Sequence, residues 1–354
     1  MRLRTILVAA AAAVATAVSM AGPAQAAPIP LTLIANLAGP LSFSVDSGKI
    51  VVAQSFGGKL TGFNADGTGR QDLFVRSPKI DIGGVEAAGS GTLFTVTGKT
   101  AKGQKFAQLA NLSDSGTKTT VANLYGFEVA KNPDHGTSYG FRDLSSSCAA
   151  RVPAQVGGKP YHGKVDSHPY GVARILGTGS VLVADAGGND LVRVSKTGTV
   201  SVAAVFPAQP LTVTKPMATG LHLPKCTIGH KFYFEAVPTD VEVRGHFAYV
   251  TTLPGGPENP SLGARGKVYR VNLRNGNIVL LATHFLGATG LALSSTGRIY
   301  VAELFGNRIS TISHGKRVTV LSVPSPAAIE WHDGRLFTTS NSLGPNGSIL
   351  RFTP

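Results

Sequence analysis

The chain has 354 residues, of which 43 are glycine, 21 are proline, 43% are apolar and only 15% are charged. That balance describes a turn-rich globular protein and excludes a disordered polymer. The formal charge is +14, yet the basic residues are scattered and Lys316-Arg317 is the only adjacent pair. A nucleic-acid partner, which would need a basic stripe, is therefore not expected. Weak adhesion to acidic cell-surface polymers stays open.

In chain order, Arg2 and Arg4 precede the apolar run "ILVAAAAAVATAVSMAG", and "AQA" at Ala24–Ala26 supplies a small-x-small cleavage pattern. Residues 1–26 read as a signal peptide cleaved after Ala26. No cysteine follows the apolar run and no later run reaches membrane-spanning length, so residues 27–354 are expected to be secreted, without a membrane span.

A hairpin then returns along the whole chain. It starts at Ile50 ("IVVAQSFGGKLTGF"), Leu93, Val181 ("VLVADAGGNDLVRV"), Ala248, Ile299 and Leu336. Each copy is an alternating apolar strand, a glycine-bearing turn and a second strand. A short strand and tight turn precede it ("GVEAAGSG", "GLALSSTG"), and a β-branched strand follows most copies ("KTGTVSVAAVF"). Four strands per unit is the make-up of a β-propeller blade. The sixth unit stops one strand short at "SILRFTP", while "LTLIANL" at Leu31–Leu37 matches the outer strands. The expectation is an all-β, single-domain, six-bladed propeller closed by its N-terminal strand.

That repeat decides the reading of "VADAGGND". Asp185 ends the second strand of its unit, as Gln54, Thr252, Glu303 and Ser340 do in theirs. Carboxylates do not recur there in all six units, so the stretch is read as a turn capped by Asp185 and not as an ion-binding loop.

The connections fall on two faces. The first-to-second and third-to-fourth turns are all minimal, whereas residues 125–165, 207–236 and 253–266 are long and share the opposite face. Long loops on a rigid ring are where binding is usually carried. Five of the nine histidines lie in or beside these insertions, in no compact metal-binding spacing. Cys148 and Cys226 sit in the two longest ones, and in an exported chain they are expected to pair and tie the cap together. The candidate ligand contacts on the capped face are Asp134, His135, Asp166, His168, Tyr170, Asp240, Glu258, Asn259 and Arg265, with Arg265 able to fork onto a carboxylate. Glu86, Glu242 and Glu330 occupy equivalent first-strand positions of alternate units, where they face a channel and offer a cation site, or else pair with neighbours. The cofactor is thus left open, a divalent cation being one candidate.

"DSHPYGVA", "VLVADAGGNDLVRV", "VPTDVEV" and "LPGGPENPSLGARGKVYRVN" resemble the ScyD/ScyE family of exported bacterial NHL-like propellers. The resemblance covers nearly all of residues 27–354. It implies export and a propeller, and carries no catalytic residues over. The function expected is a secreted, non-catalytic binding or scaffold propeller, monomeric, whose capped face takes a small molecule, glycan or protein. The alternatives are a metal-dependent lactonase or hydrolase of the gluconolactonase type, against which Thr289 stands where an Asp or Asn would be expected, or a propeller lyase.

Overall fold

The computed structural model describes residues 28–46, 48–76, 80–89, 91–257 and 260–354. Residues 1–26, read from sequence as a signal peptide, lie outside these residues. No helix among them is long and apolar enough to cross a membrane.

The described chain forms seven four-stranded antiparallel sheets. Sheet 1 is Pro40–Asp46, Lys49–Gln54, Lys59–Asn64 and Gln71–Val75, paired in sequence order. Sheet 2 (Ile80–Ala88, Gly91–Lys99, Lys105–Ser113, Lys118–Asn123) and sheet 3 (Pro169–Ile175, Ser180–Asp185, Asp190–Val194, Val200–Val205) repeat that order. So do sheet 4 (Pro238–Arg244, Phe247–Thr252, Gly266–Asn272, Ile278–Phe285) and sheet 5 (Ala288–Leu293, Ile299–Glu303, Arg308–Ser313, Lys316–Ser322). Sheet 6 takes three strands from the C-terminus (Ile329–His332, Arg335–Ser340, Gly347–Phe352) and its fourth from Leu31–Leu37. The pairing is antiparallel, with Leu31 opposite Arg351 and Leu37 opposite Gly347, so the N-terminal strand covers the open edge of the last one.

Each first strand lies against the first strand of the next sheet, and Ile329–His332 lies against both Ala288–Leu293 and Pro40–Asp46. The approach is close. A β-carbon on Gly171 would stand 2.7 Å from Cα of Asp240, and one on Gly290 would stand 2.8 Å from Cα of Ala328. Side chains bridge the remaining seams: Thr239 Oγ1 donates to the Ala288 carbonyl at 2.9 Å, and Thr95 Oγ1 to the Pro169 carbonyl at 2.7 Å. Apolar clusters fill the spaces between successive sheets, for example Leu182, Leu191, Phe206, Val250 and Val271 between sheets 3 and 4. Alternation along each strand sends one face into each neighbouring cluster, which is why the strands read as apolar on both sides.

The seventh sheet departs from expectation. Residues 125–165 and 207–236 are not plain loops: Tyr161–His162, Ser138–Phe141, Lys231–Phe234 and Gln209–Thr212 pair into a small sheet of their own. Phe141, Val213, Met217 and Phe234 form its core, and Leu262 from the third insertion joins them. The three insertions therefore pack as one body. Cys148 and Cys226 are bonded, with their Cα atoms 5.9 Å apart, as the placement of the two cysteines predicts.

Deleting residues 28–38 removes the fourth strand of sheet 6 and exposes the Gly347–Phe352 edge. The expected outcome is a lower melting temperature with aggregation, and an unchanged melt would contradict the role given to this strand. The bond between Cys148 and Cys226 closes a loop of sequence separation 78. Replacing both by serine is expected to cost about 2–4 kcal/mol of stability in denaturant unfolding, less than the full chain-entropy value because the cap keeps its apolar core.

Candidate functional site

The first strands meet around a central cavity of about 360 Å³. Their backbone alternation turns one side chain per strand inward at matched positions: Glu86 opposite Leu93 on its neighbour, Glu242 opposite Tyr249, and Glu330 opposite Phe337. All three line the cavity, together with Asp240, and Arg174 is the only basic residue among those lining it. The other walls are largely apolar. Leu41, Val237, Leu253, Leu304 and Leu343, at or next to strand ends on the insertion face, form the rim.

Four carboxylates so placed cannot all ionise at neutral pH without help. Burial pushes Glu86 up to about 7, although the Arg174 charge pulls the other way. Burial also pushes Asp240 up to about 7, despite hydrogen bonds from the Leu291 amide at 2.7 Å and the Val241 amide at 2.9 Å. Burial drives Glu242 and Glu330 well above the ordinary range, and the neighbouring carboxylates add to it. Each is thus a hydrogen-bond donor while protonated and an anion once a cation is offered. Arg174 Nε and Thr289 Oγ1 are buried and have no hydrogen-bond partner.

A shallower recess adjoins the rim, sharing Tyr170, Ala186 and Val237 with the cavity and adding Lys164, Asp166, His168, Asn189 and Glu235. His168 Nε2 stands 2.8 Å from Asp81 Oδ2, and its ring packs on Tyr170 with centroids 4.7 Å apart. Burial disfavours charge on His168, but the hydrogen bond and charge of Asp81 outweigh it and raise the imidazole above its ordinary value. Burial and the same Asp81 charge push the Tyr170 phenol up to about 12. The His168 amide, in turn, donates to Asp185 Oδ1 at 2.6 Å, so the turn read from sequence fixes this histidine.

The expected contacts divide. Tyr170 and Asp240 line the cavity, and Asp166 and His168 line the recess, where Asp166 also pairs with Lys105 at 3.0 Å. His135 and Arg265 line neither: Arg265 stacks on Phe234 and donates to the Gly255 carbonyl, bracing the third insertion. Asp134 is fully buried beneath the cap, where Tyr139 Oη and Asn189 Nδ2 donate to its Oδ2 at 3.0 and 2.9 Å, so it is not open to a ligand at the mouth. Glu258 and Asn259 lie outside the described residues. Sequence reading missed Arg174, which follows an alanine at the matched inner position, and Asp81, which the chain separates from His168 by 87 positions.

No protein-family model matches the chain. No curated protein matches it either. Among solved structures it is similar to the soluble aldose sugar dehydrogenase of Escherichia coli, at 11% identity and TM-score 0.53 over 92% of this chain and 99% of that one. A luciferin-regenerating enzyme is similar at 12% identity and TM-score 0.53, covering 92% and 95%. An auxiliary nutrient binding protein from Bacteroides thetaiotaomicron is similar at 6% identity and TM-score 0.52, covering 90% and 70%. At such identities the likeness shows the fold alone, which is of the β-propeller type.

The raised carboxyls fix the sign of a pH effect. Between about 4.5 and the value near 7 of Glu86 and Asp240, the folded chain holds protons that the unfolded chain has released. Stability from these groups is therefore lost as pH rises through that window. The unfolding free energy and the melting temperature are expected to be higher at pH 5.5 than at pH 8, and Glu86→Gln to narrow the free-energy gap by on the order of 1–2 kcal/mol. A melt that climbs from pH 5.5 to pH 8 would contradict this.

Proposed function

We propose that residues 27–354 form an exported, monomeric, six-bladed propeller, closed by Leu31–Leu37 and similar to the ScyD/ScyE family. It binds, without turnover, a small ligand that presents a cationic or strongly donating group to the channel. One observation carries this reading: Glu86, Asp240, Glu242 and Glu330 line one cavity whose only basic lining residue is Arg174. An ammonium group entering there keeps its hydrogen bonds and offsets the repulsion among the carboxylates. The apolar rim suits the hydrocarbon part of such a ligand. Asp166, His168 and Tyr170 supply polar contacts at the mouth, while Asp134, His135 and Arg265 support the cap and do not touch the ligand. Export is supported by the disulfide, which points to an oxidising compartment.

The test is calorimetric titration with tyramine and cadaverine at pH 8, each beside the alcohol of the same skeleton. The amines are expected to bind at least tenfold tighter than the alcohols, and Glu242→Gln to remove most of that preference. Equal binding of amine and alcohol would overturn the proposal. The hydrolytic alternative is met by incubating a lactone panel with added Mg²⁺ or Ca²⁺. Turnover that Glu242→Gln abolishes would make the channel an active site and displace the non-catalytic reading.

A further inference from the structure

The stretch "ADAGGND" does more than turn the chain. Asp185 is fully accounted for as the cap of that turn. It accepts from Ser167 Oγ at 2.5 Å, the His168 amide at 2.6 Å, the Gly187 amide at 3.0 Å and the Gly188 amide at 3.2 Å. Asp190 is not accounted for. It begins the third strand of sheet 3, is 1% exposed, and neither of its carboxylate oxygens has a hydrogen-bond partner.

Other orphaned oxygens stand around it. Glu128, on the helix Leu124–Lys131, is 3% exposed and its Oε1 has no partner. Asp134 Oδ1 and Asn132 Oδ1 are likewise buried without one. Glycines make the convergence possible: a β-carbon on Gly188 would lie 3.3 Å from Asp190 Oδ1 and 3.4 Å from Glu128 Oε2, and one on Gly163 would collide with Asp134 Oδ1. The charges bearing on Asp190 are Asp185, Glu128 and Asp134, all negative.

Buried acids in this position must either hold protons or hold a cation. Protonation removes the charge, yet it leaves unexplained that neither oxygen of Asp190 has a hydrogen-bond partner among the described residues. A cation answers every orphaned oxygen at once. The donors are all carboxylate or amide oxygens, which is the chemistry of a hard divalent ion and not of zinc. We propose that Glu128, Asp134 and Asp190, with Asn132 beside them, bind one Ca²⁺ between the first insertion and sheet 3. No three acids or histidines among the described residues stand at finished chelating spacing. Glu128 and Asp190 therefore turn inward about their side-chain bonds as the ion enters. Asn189 links the site to the ring, since its Nδ2 holds Asp134 at 2.9 Å while its Oδ1 accepts from the Val237 amide at 3.0 Å. Asn189 and Val237 also line the recess beside the channel mouth, so the ion orders that side of the mouth.

The experiment compares thermal melts of residues 27–354 in EDTA, in 1 mM MgCl₂ and in 1 mM CaCl₂. Ca²⁺ is expected to raise the melting temperature by about 2–5 °C over EDTA, more than Mg²⁺ does, with a stoichiometry of one by calorimetry. Asp190→Asn and Glu128→Gln should each abolish the Ca²⁺ response while melting in EDTA at or above the wild-type temperature. Glu242→Gln in the channel should leave the response intact. Identical wild-type melts in Ca²⁺ and EDTA would overturn the site and leave the acids as proton holders. So would a response that survives both Asp190→Asn and Glu128→Gln, or one lost on Glu242→Gln alone. Should one of the two variants fail to fold, the other decides.

Discussion

The rest of this structure depends on how closely the first strands approach one another. Gly171 against Asp240 and Gly290 against Ala328 leave no room for a β-carbon, so backbone packs on backbone at these seams. Short hydroxyls hydrogen-bond across the gap elsewhere, as Thr95, Thr239, Ser42 and Ser44 do, and the Asp240 carboxylate does the same by accepting from the Leu291 amide. Narrow seams at the centre and wide apolar seams at the periphery force the sheets to fan outward. The same geometry drives the inward side chains of alternate sheets into one small space. Larger residues at the seams would open the centre to water and relieve the carboxylates there. The acidity of the channel is thus a consequence of the packing as much as of the residues that line it.

The two faces carry unequal roles for a related reason. Turns such as those at Gly179 and Gly297 close strand pairs with positive-φ glycines and single hydroxyl caps from Thr178 and Ser294. On the other face the chain spends residues on a second apolar core around Phe141, Met217 and Phe234, sealed by the disulfide and by Leu262. A cap with its own core keeps its shape without leaning on the channel wall. It can therefore hold Glu235 at the mouth through Tyr161 Oη, while sheets 2 and 3 hold His168 and Tyr170 there and the channel below stays open.

Much of this was legible in the sequence, and the boundary of legibility is physical. Period-two alternation and glycine turns mark strands because they arise from neighbours in the chain, so the hairpins, the completing strand Leu31–Leu37 and the matched glutamates could be read directly. Cys148 and Cys226 were readable because a chain with two cysteines offers each of them one partner. The cap sheet was not: "SYGF" and "KFYF" are too short to signal strands, and their pairing joins Gly140 to Tyr233 across a long stretch of chain. His168 shows nothing of Asp81 in sequence, and Asp190 looks like an ordinary turn residue until Glu128 and Asp134 are brought to it. Sequence periodicity reports which face a residue takes. It does not report whether the polar atom on that face finds a partner.

The placement of charge gives the final step. The chain carries a formal +14, yet its buried polar centres, the channel and the Asp190 cluster, are acidic. Taken at long range, a positive surface would turn away the cations proposed for both. At physiological ionic strength, however, screening reduces that field over about 8 Å, so scattered surface lysines act mainly on what touches them. Within the channel and beneath the cap the carboxylates are partly or wholly shielded from bulk solvent, and one a few ångströms from a cation is worth far more than a distant ammonium. Surface and interior charge therefore operate almost independently. The surface sets which large polyanions the protein tolerates as neighbours, and the interior sets which small cations it keeps.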